Sequence, residues 1–281
     1  MTMAHGEAWL GANALAGTCS YDREGVANFL RIHVGGTESK LRLDPVLVGD
    51  DPCDLDENEL TTANPYLFSL EDGGLGVVFY AGLFGGDDRL RFGRIGEDGQ
   101  LLEAPVVVEG TGAGISGGGF LPRGVATGDG RILFLDRRQQ AGFCHALGVM
   151  RADGSGARDA PWQMPCMARP DKWMSRSVEL QPVPGGAVLV WAQRRRDLGE
   201  GAEDYEQRIF ATLITPGGRR GSEIVQVTAP ESTAGIEGGV GDWVVGAATD
   251  GERVVVTWLD RRPDAPGIYA RSLRCGVDPS R

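Results

Sequence analysis

The sequence predicts an all-β protein: a five-bladed β-propeller of four-stranded antiparallel blades, with the ring closed by an N-terminal strand. Three observations lead there. First, a phrase in which an aromatic residue ends an apolar run and a polar or arginine-rich stretch follows recurs five times. It reads Phe29-Leu30-Arg31, Phe79-Tyr80-Ala81, Phe134-Leu135-Asp136-Arg137-Arg138, Trp191-Ala192-Gln193-Arg194-Arg195 and Trp258-Leu259-Asp260-Arg261-Arg262. Second, the aromatic anchors lie 50, 55, 57 and 67 residues apart, and self-similarity at a period near 50 marks stacked or closed repeat architectures. Third, 44 glycines and 15 prolines in 281 residues favour many short strands joined by tight turns over long helices. A β-sandwich is the competing all-β architecture, but it gives no reason for one phrase to return five times.

The repeats span approximately 14–50, 64–110, 117–165, 173–228 and 240–276 of a single domain covering residues 1–281. In the fifth, Trp243 to Ala248 is an apolar strand, Asp250-Gly251 a turn and Val254 to Trp258 a β-branched second strand, the residue type that suits a pleated surface. Ile268 to Leu273 then alternates like a half-buried third strand. The fourth repeat places strands at Ala187 to Trp191, Ile209 to Ile214 and Glu223 to Val227. The third places them at Arg131 to Leu135 and Phe143 to Val149, and the second at Tyr66 to Leu70, Gly76 to Tyr80, Leu90 to Ile95 and Pro105 to Val108. In the first repeat, Lys40-Leu41-Arg42-Leu43 parallels Arg89-Leu90-Arg91-Phe92. The fifth repeat ends near Cys275 without a fourth strand, so residues 1–13, which contain Ala8-Trp9-Leu10, are expected to supply it and close the ring.

Composition narrows the function. Hydrophobic content of 41% and a charged fraction of 24% are ordinary for a globular protein. A formal charge of -11 opposes the phosphate neutralisation on which nucleic-acid binding rests, so nucleic acid is an unfavoured partner. No apolar run approaches the roughly 18 residues of a membrane span. The five cysteines form neither a C-x-x-C pair nor a zinc spacing. Cys144 and Cys166 flank one hairpin and either pair in an oxidising compartment or stay as buried thiols. Residues Met1 to Gly6 carry no secretory signal pattern, which fits either a cytoplasmic protein or one whose leader has been removed.

At Val256-Thr257-Trp258-Leu259-Asp260-Arg261-Arg262 and Ile268-Tyr269-Ala270-Arg271 the chain resembles the repeats of sialidase-like bacterial β-propellers. The resemblance covers about residues 14 to 275. It implies a propeller, and an extracellular or cell-surface location, while leaving the activity open. Sialidases carry an arginine triad, a tyrosine nucleophile with its glutamate, an acidic donor and S-x-D-x-G-x-x-W boxes. Here Phe29-Leu30-Arg31-Ile32 lacks the proline of the family's motif, and Ser69-Leu70-Glu71-Asp72-Gly73 reaches Gly76 where the box needs tryptophan.

Candidate site residues follow from the repeat. If the loop after each second strand opens on one face, Arg31, Arg137, Arg138, Arg194, Arg195, Arg261 and Arg262 share it. Such a guanidinium face suits bidentate binding of carboxylates, sulfates or phosphates. Alternatively Asp136 and Asp260 pair with arginines of their own or neighbouring blades and fix loops. Trp173 and Trp243 are placed to stack on sugar rings or to pack between blades. Asp54, Asp56 and Asn58 have the alternate spacing of a calcium loop, without the glycine and bidentate glutamate that complete one. No cofactor other than calcium is suggested.

The chain is therefore expected to be a non-catalytic propeller that recognises a glycan or a protein surface through loops on one face. A glycoside hydrolase of sialidase-like or related five-bladed type is the alternative, and a structural module of a surface protein the second.

Overall fold

The computed structural model describes residues 2–4, 7–13, 27–32, 42–44, 60–83, 89–96, 101–108, 122–138, 144–164, 173–195, 207–228, 245–260 and 267–274. Among the described residues all regular elements are strands, arranged in five antiparallel sheets that follow one another along the chain. The first sheet has the order β1 (Thr2–Ala4), β2 (Glu7–Asn13), β3 (Ala27–Ile32), β4 (Arg42–Asp44). The second runs β5 (Leu60–Ser69), β6 (Leu75–Leu83), β7 (Arg89–Ile95), β8 (Val106–Val107). The third is β9 (Arg123–Ala126), β10 (Arg131–Arg138), β11 (Cys144–Arg151), β12 (Arg158–Asp159), and the fourth β13 (Trp173–Val183), β14 (Gly186–Arg195), β15 (Gln207–Ile214), β16 (Val225–Gln226). Among the described residues the fifth has three strands, β17 (Val245–Thr249), β18 (Arg253–Asp260) and β19 (Gly267–Arg274). Five successive meanders of this kind are the five-bladed propeller class that the repeat predicts.

The chain forms two compact units. One comprises Met1–Ala126, Phe134–Arg138 and Met150–Arg158, the other Thr127–Leu133, Gln139–Val149 and Asp159–Arg281. In the first, Leu67, Leu75, Val77, Phe79 and Ile95 are buried together, with Leu101 against them, and the Phe68 and Phe92 rings lie 6.3 Å apart. In the second, Val188, Val190 and Ala192 of β14 pack on Ile209 and Ala211 of β15 and on Val254, Val256 and Trp258 of β18. These sets are alternate residues, because a strand presents every second side chain to the same face. On β18, Val254, Val256 and Trp258 are buried while Val255 and Leu259 are exposed. Burial of such β-branched and aromatic side chains contributes about 1.5–3 kcal/mol each, which fixes the registers. A one-residue slip would send the whole set to the other face.

Two sequence expectations are corrected. Residues 1–13, expected to complete the fifth sheet, lie in the first: β2 pairs with β1 (Thr2↔Trp9) and with β3 (Gly11↔Phe29). A local partner closes a short loop at little entropic cost, which favours it over a strand more than two hundred residues away. Consequently Phe29-Leu30-Arg31 sits on the third strand of its sheet, and the aromatic of the second strand is Trp9. The second correction concerns the arginine phrase, which continues strands where loops were expected. β10 runs to Arg138, β14 to Arg195 and β18 to Asp260. The ladder reaches that far, with Arg194 facing Met174 and Gln207, Arg195 facing Trp173, and Asp260 facing Gly267.

Candidate functional site

Arg137 and Arg138 are the last residues of β10, and Arg194 and Arg195 the last of β14. Arg31 lies on β3 between Trp9 and Arg42. Trp243, Arg261, Arg262 and the calcium-like Asp54, Asp56 and Asn58 lie outside the described residues. Among the described residues no group of three or more His, Cys, Asp and Glu is placed to hold a metal ion.

Asp136 is the repeated acidic residue whose surroundings are defined. It is 2% exposed, and its Oδ1 accepts a 3.0 Å hydrogen bond from the Tyr80 hydroxyl of β6. A carboxylate withdrawn this far from water needs such donors, because an unsatisfied buried charge costs several kcal/mol. The bond ties the second strand of one sheet to the second strand of the next, with a tyrosine as the partner where the sequence reading weighed an arginine. Near it in sequence Arg123, on β9, is also buried. Its guanidinium lies 4.9 Å from the centre of the Tyr66 ring, and its Nη1 donates to the Pro122 carbonyl at 3.1 Å. Stacking a guanidinium on an aromatic face keeps it attracted while freeing its in-plane donors.

In the second unit the first strand of the fourth sheet, β13, carries two features that sequence reasoning missed. A bulge interrupts its pairing with β14 between Ser175 and Val178, matching the one between Ala63 and Tyr66 on β5. Bulges re-aim side chains and concentrate beside functional sites. Immediately after it, Glu179 is half-buried between the buried Val178 and Leu180. It is the one acidic residue on the first strand of any sheet among the described strands. β13 also begins with Trp173, whose register partner on β14 is Arg195.

The second unit thus offers an acid on the first strand of a sheet, and the first unit holds two buried polar ties. No protein-family model matches the chain, and no curated protein matches it in sequence. Solved structures do. A protein of unknown function from Dyadobacter fermentans superposes with a TM-score of 0.56 at 18% identity, over 97% of this chain and 77% of that one. The α-L-arabinofuranosidase Arb93A of Fusarium graminearum, solved with an iminosugar inhibitor, matches with a TM-score of 0.52 at 11% identity, over 98% of this chain and 91% of that one. The Bacteroides ovatus xyloglucan GH43B aligns at 15% identity with a TM-score of 0.41, and the chain spans 40% of that protein's length. At these identities the two likenesses with TM-scores above 0.5 establish the fold alone.

Proposed function

We propose that this protein is a carbohydrate-active propeller that hydrolyses a glycosidic bond. The observation that carries the reading is the near end-to-end likeness to an arabinofuranosidase, 98% of this chain on 91% of that one. Glu179 gives the reading a chemical anchor. In a propeller the first strand of each blade borders the central channel, and glycoside hydrolysis works through carboxyl groups aimed into such a cavity. In this reading Glu179 is one of those groups, and the bulge before it sets its direction.

The test is a panel of nitrophenyl glycosides that includes α-L-arabinofuranoside, β-xyloside and sialoside, run beside a glycan array. Release of nitrophenolate from at least one furanoside or pyranoside supports hydrolysis. Selective array binding without release favours a second reading, a glycan-binding propeller, for which Trp173 opposite Arg195 supplies the stacking ring and the hydrogen-bond donor. A blank panel together with a blank array overturns both.

A further inference from the structure

The strand registers identify equivalent residues in the second and fourth sheets. β8 and β16 pair alike with their third strands, Val106 opposite Phe92 and Val225 opposite Ala211. Phe92 in turn stands opposite Val78, and Ala211 opposite Val190. One strand further, Val78 meets Tyr66 where Val190 meets Glu179. Glu179 therefore holds the place of Tyr66. Two residues on, Gln181 opposite Val188 holds the place of Phe68 opposite Gly76.

In the first unit these two places carry aromatic rings that reach the first strand of the following sheet. The Arg123 guanidinium lies over the Tyr66 ring, and a Cβ at Gly124 would stand 2.6 Å from the ring of Phe68. In the second unit the same places carry a carboxylate and an amide. Residues directly opposite on antiparallel strands share a face, so Glu179 and Gln181 project with Val190 and Val188. Those valines are buried against Val245, Val254 and Val256 of the fifth sheet, with Ala247 packed on the same cluster. β17 lies beside β13, so the seam between these two first strands is lined by polar side chains on one side and a methyl group on the other.

Gln181 is half-buried, and among the described residues its amide makes no hydrogen bond. Gln163, by contrast, spends its amide on the Leu147 N–H and carbonyl and on the Ala160 carbonyl, at 3.0, 2.8 and 2.9 Å. An amide withdrawn from bulk water costs free energy until water or a ligand pairs with it. On the fifth-sheet side Arg271 donates its Nη1 to the Gln226 and Val227 carbonyls, at 3.4 and 2.8 Å, which commits that guanidinium to the backbone.

We propose that Gln181 determines the specificity of the site, taking paired hydroxyls of a neutral sugar held in the seam between β13 and β17. The proposal rests on the reading of Glu179 as part of a carbohydrate site and extends it to the class of sugar. Two residues apart on one face of a strand, the two groups stand about 7 Å from each other, a spacing that lets them meet neighbouring substituents of one bound sugar. An amide offers a donor and an acceptor side by side, which suits vicinal hydroxyls that both give and accept. A carboxylated sugar would bring a second negative charge to Glu179, and like charges in contact are disfavoured. Ala247 leaves the ring the space that a larger side chain would take.

The probes are L-arabinose, D-xylose and D-glucuronate, titrated into the full chain by saturation-transfer NMR, with KM and kcat measured on the best nitrophenyl glycoside. Wild type is expected to bind at least one of the two neutral sugars, and glucuronate at least about tenfold more weakly. Gln181→Leu keeps an apolar body of similar size in the seam. It is expected to weaken neutral-sugar binding and raise KM about tenfold, with kcat and melting temperature unchanged. Ala247→Phe puts a ring into the seam and is expected to abolish binding; Gln181→Leu keeps the test open if that variant does not fold. Sugar binding that depends on Gln181 without any turnover would sink hydrolysis and support this proposal. Turnover with KM and sugar affinity unchanged in Gln181→Leu would overturn the proposal and leave hydrolysis standing. Glucuronate bound as tightly as the neutral sugars, or no saturable binding of any of the three, would also overturn it.

Discussion

Tyr80→Phe is the sharpest probe of the scaffold, because it deletes one oxygen and leaves the ring that fills the space. The lost group is the hydroxyl that donates to Asp136 at 3.0 Å, with Tyr80 9% and Asp136 2% exposed. A neutral buried hydrogen bond contributes about 1 kcal/mol and one to a charged partner about 1.5–3 kcal/mol. The accepting atom belongs to a carboxylate shielded from water, so the upper range applies and Tyr80→Phe is expected to cost about 2 kcal/mol. Asp136→Asn keeps an acceptor oxygen but withdraws the charge. The double variant is therefore expected to fall short of additivity by at least about 1 kcal/mol, as neighbours sharing one bond do. Urea unfolding of the four proteins, with unchanged m-values, measures this. A loss below about 0.5 kcal/mol for Tyr80→Phe, or strictly additive losses, would refute the idea that this bond stabilises a buried charge.

Further outcomes follow from local geometry. Gly186 sits at φ +150°, and a Cβ there would stand 2.0 Å from the backbone oxygen of Ile214. Gly186→Ala is therefore expected to cost about 3 kcal/mol or more in thermal or urea unfolding. Gly251, at φ +94° with open space around it, bears conformational strain alone, and Gly251→Ala is expected to cost about 1 kcal/mol; equal losses at the two glycines would contradict this reading. The Asp250 carboxylate accepts N–H bonds from Arg253 at 2.7 Å and Glu252 at 2.9 Å, which hold its pKa below the ordinary 3.8. A depressed folded pKa stabilises the turn above the unfolded value and loses that contribution as pH falls through the lower folded one. Carboxyl NMR of Asp250 is thus expected to titrate below 3.8, and a midpoint at or above it would contradict the assignment.

Much of the fold was legible because turns and strands write local signals. Asp250-Gly251 turns at a positive φ, and the strand predicted over Ile209 to Ile214 is observed as Gln207–Ile214. The first repeat was misread because Trp9-Leu10 and Phe29-Leu30 carry the same aromatic–apolar signal, and pairing chose which strand each joins. Strand ends were placed early at Arg137-Arg138 and Arg194-Arg195 because charge reads as loop, while ladder hydrogen bonds are indifferent to the side chain. The site was less legible. Asp136 is buried by a partner 56 residues away, a contact no spacing reveals. Glu179 lies within Val178-Glu179-Leu180 on β13, a strand that the sequence reading did not place. A single acid inside an apolar alternation was the available signal, and its meaning depends on β13 being the first strand of its sheet.

The most direct measurement is the turnover of Glu179→Gln beside wild type on the best glycoside of the panel, with melting curves of both. The account predicts a loss of at least about a hundredfold in kcat, the contribution of a positioned acid or base, at an unchanged melting temperature. Full activity in folded Glu179→Gln would contradict it.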